Sequence, residues 1–373
     1  MSLSIVVQCV LLLGLSFILV AGLTEVARRV AIYVGFVSKP VGDRWCQRSV
    51  PMGGGIAIQL GWLALLFVWD RDLFLALGPI IGLLMLFGLV DDLVGFMPWT
   101  KLGFQTLIAW YAITHGYKIV TPWDSFSNVA SIFWILFITN AVNLTDNMDG
   151  LSSGLVAVAS LGLVVFFVGG ANSSSVTLSI ITLGAALGFL MHNRYPARIF
   201  MGDAGSLPFG FILSLLAIKV QNQASPESFS GVFQMFSILI VPLFDSIFVM
   251  SRRALAGLSI MRGNIDHTSH RLVKAGLNDR QAVGVLYALG VMGVIGLFLL
   301  SRSPEAVWVP LVLAGVLLTL SFAAFLIRAE KGPVSESDFG LAPLRLFIAR
   351  MAIPATTFVG LFSQFYASRH GKT

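Results

Sequence analysis

Residues 73–90 read LFLALGPIIGLLMLFGLV, and the next two residues are Asp91 and Asp92. An apolar run of about 20 residues is long enough to cross the hydrocarbon core of a bilayer as a helix. A carboxylate at mid-membrane costs roughly 2.5 to 3.5 kcal/mol, so acidic residues in membrane segments indicate function. The stretch therefore predicts a membrane helix that carries acidic side chains to a site at its end.

The whole chain has the same apolar character. Of its 373 residues, 57% are hydrophobic and 11% are charged, whereas soluble domains carry roughly 25% charged residues. We expect an all-α polytopic membrane protein, with residues 1–373 forming one membrane domain. About eleven transmembrane helices are predicted, at residues 3–22, 51–69, 73–90, 102–120, 129–145, 151–169, 176–192, 205–220, 233–250, 282–301 and 306–327.

Charge in the loops predicts the orientation of these spans. Most of the 24 Lys and Arg residues fall in loops on one side, which the positive-inside rule makes cytoplasmic. The N-terminus is then extracytoplasmic, and residues 3–22 are expected to be a retained span because no basic segment precedes them. A further apolar stretch at 343–367 contains Pro343, Arg345 and Pro354, and whether it spans the membrane or lies along its interface is open.

Composition also argues against two other classes. The basic residues are spread over short loops instead of forming one stripe, so nucleic-acid binding is not expected. Cys9 and Cys46 cannot form a disulfide framework, and neither has the spacing of a metal ligand, so redox chemistry is not expected either.

Four acidic clusters lie at the ends of predicted spans. With alternating spans, all four fall on the predicted cytoplasmic side, where an active site is expected. The clusters are Asp91 with Asp92, Asp146 with Asp149, Asp203 in GDAGS, and Asp245 in VPLFDS.

The oxygen-bearing side chains near the fifth span indicate a metal site. Asn140, Asn143, Asp146 and Asp149 recur every three residues, which predicts that they line one helical face. Such hard ligands suit Mg²⁺, or Mn²⁺. Asp203 begins a predicted helix after a small-residue turn, where backbone amides can face an anion while the carboxylate holds a metal.

Residues 251–280 form a predicted basic loop. Arg253, His267, His270 and Arg271 could clamp phosphate groups, whereas a zinc site is disfavoured because no cysteine is near. Asp245 is expected to be structural and to pair with the arginines that follow it. Together, the acids and the basic loop predict metal-assisted phosphoryl transfer at a membrane surface.

Several motifs resemble those of the polyprenyl-phosphate N-acetylhexosamine-1-phosphate transferase family. This family includes bacterial undecaprenyl-phosphate GlcNAc-1-phosphate transferases and phospho-MurNAc-pentapeptide translocase. The resemblance covers about residues 38–275 and rests on VPMGGGIA at 50–57, LVDDL at 89–93, NAVNLTDNMDGL at 140–151, RIFMGDAGS at 198–206 and the ArgArg to HisThrSerHisArgLeu loop at 252–272.

The resemblance implies a reaction. A polyprenyl phosphate would attack the β-phosphorus of a UDP-sugar, giving polyprenyl-diphospho-sugar and UMP. This would be the first membrane step of cell-envelope glycan synthesis, carried out in the cell inner membrane with the active site facing the cytoplasm. A homodimer is left open.

The resemblance also assigns roles to residues. Asp203 and Asn143 would hold Mg²⁺, Asp146 would organise the metal shell, and Asp91 with Asp92 would act on the lipid phosphate. The second pKa of a phosphate monoester is about 6, so Asp91 is expected to orient the phosphate more than to deprotonate it. The implied substrate-binding residues are Lys101 and Asn140, Asp149 and Phe200 at the uracil, and Arg253, His267, His270 and Arg271 at the diphosphate and sugar.

The sequence leaves alternatives for the sugar substrate and for the class of protein. The family pattern HisXaaHisHis becomes His267, Thr268, Ser269, His270 here, with Asn264 at the preceding Asp position. The triple His of the translocase is absent, which favours UDP-GlcNAc or another UDP-N-acetylhexosamine over a MurNAc-pentapeptide donor. An ion-coupled transporter would distribute its acids over both sides, and a catalytically silent scaffold would not need the motifs together.

Overall fold

A computed structural model describes residues 3–38, 45–46, 48–121, 124–168, 173–223, 230–259, 265–303 and 305–329. Within these ranges the chain is almost entirely helical, with one short antiparallel pair of strands. The elements are α1 Leu3–Val34, β1 Val37–Ser38, β2 Val50–Pro51, α2 Gly54–Trp69, α3 Arg71–Val94, α4 Pro98–Thr114, α5 Asp124–Leu144, α6 Leu151–Val168, α7 Ser173–Asn193, α8 Asp203–Gln221, α9 Ser230–Ile238, α10 Ile240–Leu255, α11 Thr268–Lys274, α12 Asp279–Arg302 and α13 Glu305–Ala329.

The prediction of an all-α polytopic membrane protein is confirmed. Each of the predicted apolar segments falls on a helix or, for 233–250, on the pair α9 and α10. Among the described residues, 8 helices are long and apolar enough to cross a membrane, or up to 9 if that bent pair is one span, and α2 is a shorter apolar helix. The number eleven stays a prediction, and the 343–367 stretch lies outside the described residues.

The predicted span at 233–250 is divided between two helices in the structure. The chain bends by 82° between α9 and α10. Pro242 explains the break, because it has no N–H to donate to the carbonyl of Ile238 four residues earlier. Beyond the bend, α10 runs on to Leu255, so the predicted loop at 251–280 is shorter than expected and contains α11.

Helix α8 lies at the centre of the bundle. Of the eight candidate spans it is the most buried, with 89% of its apolar window inside the protein compared with 17% for α1 and α13. It packs against α2, α3, α5 and α9. Phe209 of α8 meets Trp62 of α2 edge to face, with ring centroids 5.2 Å apart. The first turn of α8 is therefore held in place by several neighbouring helices.

Glycines let α2 and α3 approach the start of α8 closely. A Cβ at Gly88 would lie 2.5 Å from the amide nitrogen of Ala204 and 2.6 Å from its Cα, and a Cβ at Gly55 would overlap the backbone of Gly205. The start of α2 adds hydrogen bonds, because Gly54 and Gly55 donate their amides to the carbonyls of Phe200 and Met201. Residues 200–205 are thus fixed by backbone contacts.

We expect Gly88→Ala to destabilise the protein, because backbone atoms of α8 occupy the position of the new methyl group. Overpacking of this kind costs about 1 to 3 kcal/mol. Gly82→Ala is the matched control on α3, since nothing lies within 4 Å of its Cβ position. Thermal unfolding in detergent should show a lower Tm for Gly88→Ala and an equal or higher Tm for Gly82→Ala. Equal Tm values for the two variants would contradict this packing.

Candidate active site at the start of α8

One lysine joins the ends of three helices. Asp91 lies in the last turn of α3, Lys101 in the first turn of α4, and Asp203 is the first residue of α8. The ammonium of Lys101 lies 2.9 Å from Oδ2 of Asp203 and also pairs with Asp91. The structure therefore brings together three residues that are up to 112 positions apart in sequence.

Asn143 of α5 completes this cluster. Its Nδ2 donates to Oδ1 of Asp203 and to the hydroxyl of Ser206, both at 2.8 Å. The opposite atom of the same amide, Oδ1, is the one that could ligate a metal beside Asp203. The two residues assigned to the metal by resemblance are in direct contact.

Asp92 has a different environment from Asp91. Its carboxylate accepts hydrogen bonds from the amides of Asp203 at 2.9 Å and Ala204 at 3.4 Å, as an acid at a helix N-terminus does. It also fills the space that a side chain at Gly202 would need. The sequence predicted that backbone amides here can face an anion. For the amides of Asp203 and Ala204, the group that they face is the carboxylate of Asp92.

The predicted ladder along one helical face is also corrected. Asn140 and Asn143 lie on α5, but the helix ends at Leu144, so Asp146 and Asp149 lie in the following turn. The turn is possible because Gly150 adopts φ +78°. Asn140 donates to Gln105 of α4 at 2.6 Å, so its amide joins two helices.

Asp149 joins the end of that turn to the segment that precedes Phe200. Oδ2 of Asp149 accepts from the amide of Ala197 at 2.8 Å and from Arg48 at 3.2 Å. Burial raises the pKa of this carboxyl. Phe200 follows three residues after Ala197, and its backbone pairs with Pro51 and Gly54.

Asp245 forms a buried pair with the basic loop. Its Oδ2 lies 2.8 Å from Nδ1 of His267, and its Oδ1 accepts the amide of Thr268 at 2.7 Å. The expected pairing of Asp245 with the arginines that follow it is wrong, because Arg253 instead makes a two-point ion pair with Asp266, at 2.7 and 2.9 Å. Bidentate pairing suits the planar guanidinium.

Asn147 links the basic loop to the acidic turn. Its Oδ1 accepts from the hydroxyl of Ser269 at 2.6 Å, and its carbonyl lies 3.4 Å from Nε2 of His270. The ring of His270 also stacks on Trp45, with centroids 4.8 Å apart. Arg271 donates to the carbonyl of Asp266 at 2.7 Å. The acids and the basic loop therefore form one continuous cluster.

The charges in the cluster favour a bound cation. Burial, with the negative charges of Asp203, Asp92 and Asp149, raises the pKa of Asp146 to about 8. In the part of the chain that the structure describes, no group of three or more His, Cys, Asp or Glu side chains is arranged as a metal cage. Mg²⁺ does not need one, since it binds through one or two protein oxygens plus phosphate and water. The donors present therefore fit Mg²⁺.

Sequence reasoning missed several residues of this cluster. Asp266 and Asn147 lie within motifs that it examined, and their polar side chains beside His267 and Asp146 were a usable signal. Trp45, Arg48 and Gln105 are distant in sequence from their partners. No local pattern pointed to them.

Comparison with known proteins covers the part of the chain that contains this site. The model of glycosyl transferase family 4 matches residues 74–221, which include Asp91, Lys101, Asn143 and Asp203. A probable undecaprenyl-phosphate N-acetylglucosaminyl 1-phosphate transferase of Bacillus subtilis is 30% identical over 320 residues, or 81% of this chain and 87% of the relative. The chain belongs to glycosyl transferase family 4.

Other relatives of this family 4 chain have similar names. An undecaprenyl-phosphate alpha-N-acetylglucosaminyl 1-phosphate transferase of Escherichia coli is 29% identical over 77% of this chain and 83% of the relative. A decaprenyl-phosphate N-acetylglucosaminephosphotransferase of Mycolicibacterium smegmatis is 29% identical over 70% of this chain and 74% of the relative. The similarity thus extends well beyond the residues that the family model matches.

His270 of this family 4 protein gives a pH-dependent prediction. Burial, with the neighbouring His267, lowers the pKa of His270 from 6.5 to about 4. Between these values the unfolded chain binds a proton that the folded chain does not, so the contribution of His270 to stability falls as the pH decreases from 6.5 to 4. We expect the Tm of the wild type to fall more steeply over this range than that of His270→Gln.

The matched control is His115→Gln, at an exposed histidine that follows α4. Its Tm should depend on pH as that of the wild type does. Parallel curves for wild type and His270→Gln would mean that His270 protonates normally in the folded state.

Proposed function

We propose that this protein transfers N-acetylglucosamine 1-phosphate from UDP-GlcNAc to a polyprenyl phosphate. A phosphate oxygen of the lipid attacks the β-phosphorus of the nucleotide sugar and forms a new P–O bond. The bond between that phosphorus and the bridging oxygen breaks, and the oxygen leaves with its electron pair on UMP. The observation that carries the proposal is the contact of Asp91, Lys101, Asp203 and Asn143 where apolar helices end.

Asp203 and Asn143 would hold Mg²⁺, or Mn²⁺ in its place. When bound, the ion would neutralise charge on the diphosphate and so favour departure of UMP. Asp203 is suited to this role because its carboxylate already interacts with one positive charge, the ammonium of Lys101 at 2.9 Å. The pKa of Asp146 is about 8 without a cation, so its carboxyl would lose its proton and add negative charge there only when the ion is bound.

Lys101 and Asp91 would act on the phosphate that attacks. Lys101 carries three donors on a flexible stem, so it can exchange a carboxylate partner for a phosphate oxygen. Asp91 is held by a hydrogen bond from the amide of Phe96 at 2.7 Å, which fixes its direction. Asp92 would support the reaction indirectly, because it holds the first turn of α8.

The donor would lie between the acidic turn and the basic loop. Asp149 and Phe200 would contact the uracil, while Arg253, His267 and Arg271 would face the diphosphate and the sugar. His270 is neutral at pH 7 because of its low pKa, so it would offer a hydrogen bond and not a positive charge. Asn140 would support this region through its bond to Gln105.

The same arrangement supports a cytoplasmic site. Arg48, Lys101, Arg253 and Arg271 all lie in the cluster, and loops rich in Lys and Arg face the cytoplasm. We therefore propose one inner-membrane domain with eleven crossings, in which α2 and α4 also span and the bent pair α9 and α10 counts as one crossing.

An apolar groove beside the cluster supports a lipid substrate. The groove has a volume of about 660 Å³ and lies between α9, α10, α12 and α13. One end reaches polar residues of the cluster, namely Asn147, Asp245, Thr268 and Ser269. Its remaining lining is almost wholly apolar, which suits a polyprenyl tail whose phosphate would extend past the polar end towards Lys101 and Asp91.

The groove gives a test that separates the two substrates. Gly315 lines it, and nothing lies within 4 Å of its Cβ position, whereas Leu313 on the same helix is 55% exposed and does not line it. We expect Gly315→Trp to raise the KM for polyprenyl phosphate by about tenfold, or about 1.4 kcal/mol of binding. The KM for UDP-GlcNAc should be unchanged, and Leu313→Trp should behave as the wild type. An equal rise in both KM values would argue against the groove as the lipid site.

The chemistry itself is tested by Mg²⁺-dependent release of UMP from purified protein with polyprenyl phosphate and a panel of UDP-sugars. We expect activity with UDP-GlcNAc, loss of nearly all activity and of the Mg²⁺ response in Asp203→Ala, and measurable turnover in Asp91→Asn. Asp72→Asn is the control, since this acid is exposed at the far end of α3.

Other outcomes of this assay would change specific parts of the proposal. Activity only with UDP-MurNAc-pentapeptide would change the sugar, and normal turnover of Asp203→Ala would remove the metal assignment. No UMP from any UDP-sugar, together with cation flux in liposomes, would indicate a carrier.

A further inference from the structure

We propose that Asp245 is a positioning residue that fixes the tautomer and ring direction of His267 for sugar-1-phosphate transfer. The inference rests on the function proposed above. It concerns an acid that the sequence analysis treated as structural.

The pair between these residues is buried. Asp245 is 4% exposed and His267 is 5% exposed, and Oδ2 of the acid lies 2.8 Å from Nδ1 of the imidazole. An ionised carboxylate only accepts hydrogen bonds, so Nδ1 must carry the proton. In the neutral ring Nε2 then carries no proton and can accept a hydrogen bond from a substrate hydroxyl, as in other sites where a carboxylate sets the tautomer of a histidine.

The second oxygen of Asp245 fixes the backbone at the same place. Oδ1 accepts the amide of Thr268 at 2.7 Å, so one carboxylate holds the ring of one residue and the backbone of the next. This leaves the imidazole little freedom to rotate. Asp266, the residue before His267, is already paired with Arg253. Asp245 is therefore the carboxylate that orients the ring.

A further contact holds the loop from its other side. The hydroxyl of Ser269 donates to Asn147 at 2.6 Å, in the turn that carries Asp146 and Asp149. His267 is thus held between the carboxylate on α10 and the acidic turn. Its direction relative to the acids is set by these two contacts.

The first measurement is the tautomer of His267 in the full-length protein in lipid nanodiscs. The chain has five histidines, so ¹⁵N-histidine labelling gives few signals, and the signal lost in His267→Gln identifies the residue. We expect Nδ1–H in the wild type. In Asp245→Asn, the amide oxygen can still accept from Thr268 while its NH₂ faces Nδ1, so the proton should move to Nε2.

The second measurement is UMP release. Loss of a residue that orients a ligand typically costs roughly 10- to 100-fold, and we expect a kcat decrease of that size in Asp245→Asn with a KM for UDP-GlcNAc within about threefold of wild type. If Asp245 acts through His267, the double variant Asp245→Asn with His267→Gln should be no slower than His267→Gln alone. Ser246→Ala is the control for general perturbation, since this neighbouring side chain is also buried and its hydroxyl has no hydrogen-bond partner among the described residues.

Three results would overturn the proposal. The first is an Nε2–H tautomer of His267 in the wild type, a result that does not depend on the folding of Asp245→Asn. The others are an unchanged kcat in Asp245→Asn and additive losses in the double variant. Absence of UMP release by the wild type would contradict the proposed function instead, and the NMR signal would still decide whether Asp245 sets the tautomer.

Discussion

The hydrogen bonds that the first amides of α8 donate to Asp92 are the interaction on which the site depends. An apolar helix that begins inside a bundle leaves several amides without partners, and each would be costly to bury. Asp92 accepts hydrogen bonds from two of these amides. A negative charge on its carboxylate also interacts favourably with the positive end of the helix dipole. Since Asp203 is the first residue of that helix, the same bonds determine where its carboxylate lies.

This constraint explains the glycines around the site. The carboxylate can reach the amides only if α3 approaches α8 closely, and Gly88 permits that approach. On the other side, Gly55 brings α2 equally near, and the chain at Phe200 and Met201 is hydrogen bonded to it. The backbone at residues 200–205 therefore makes the close helix contacts and also carries Asp203 of the site.

Much of the fold could be predicted from the sequence, because apolar runs separated by polar loops have few solutions in a membrane. The meeting of Asp91, Lys101, Asn143 and Asp203 was predictable in outline from the alternation of spans. The predictions that failed concerned a local turn and side-chain contacts in three dimensions. Spacing of three residues suggested a helix through Asp149, but the chain turns after Leu144, and the pairs Asp245 with His267 and Arg253 with Asp266 depend on packing that spacing does not encode.

The bend between α9 and α10 has a consequence for how substrates arrive. Because α13 packs on the rest of the protein near Phe322, Phe325 and Leu326 while its outer part is exposed, the groove beside the bend lies next to an exposed apolar surface. If the groove binds the lipid as proposed, the lipid would enter sideways without leaving the membrane, while the nucleotide sugar would come from water. The two substrates are measured on different scales, one as a mole fraction in a two-dimensional phase and the other as a molarity. The rate of such an enzyme would respond to the surface density of its acceptor independently of the volume of the cell.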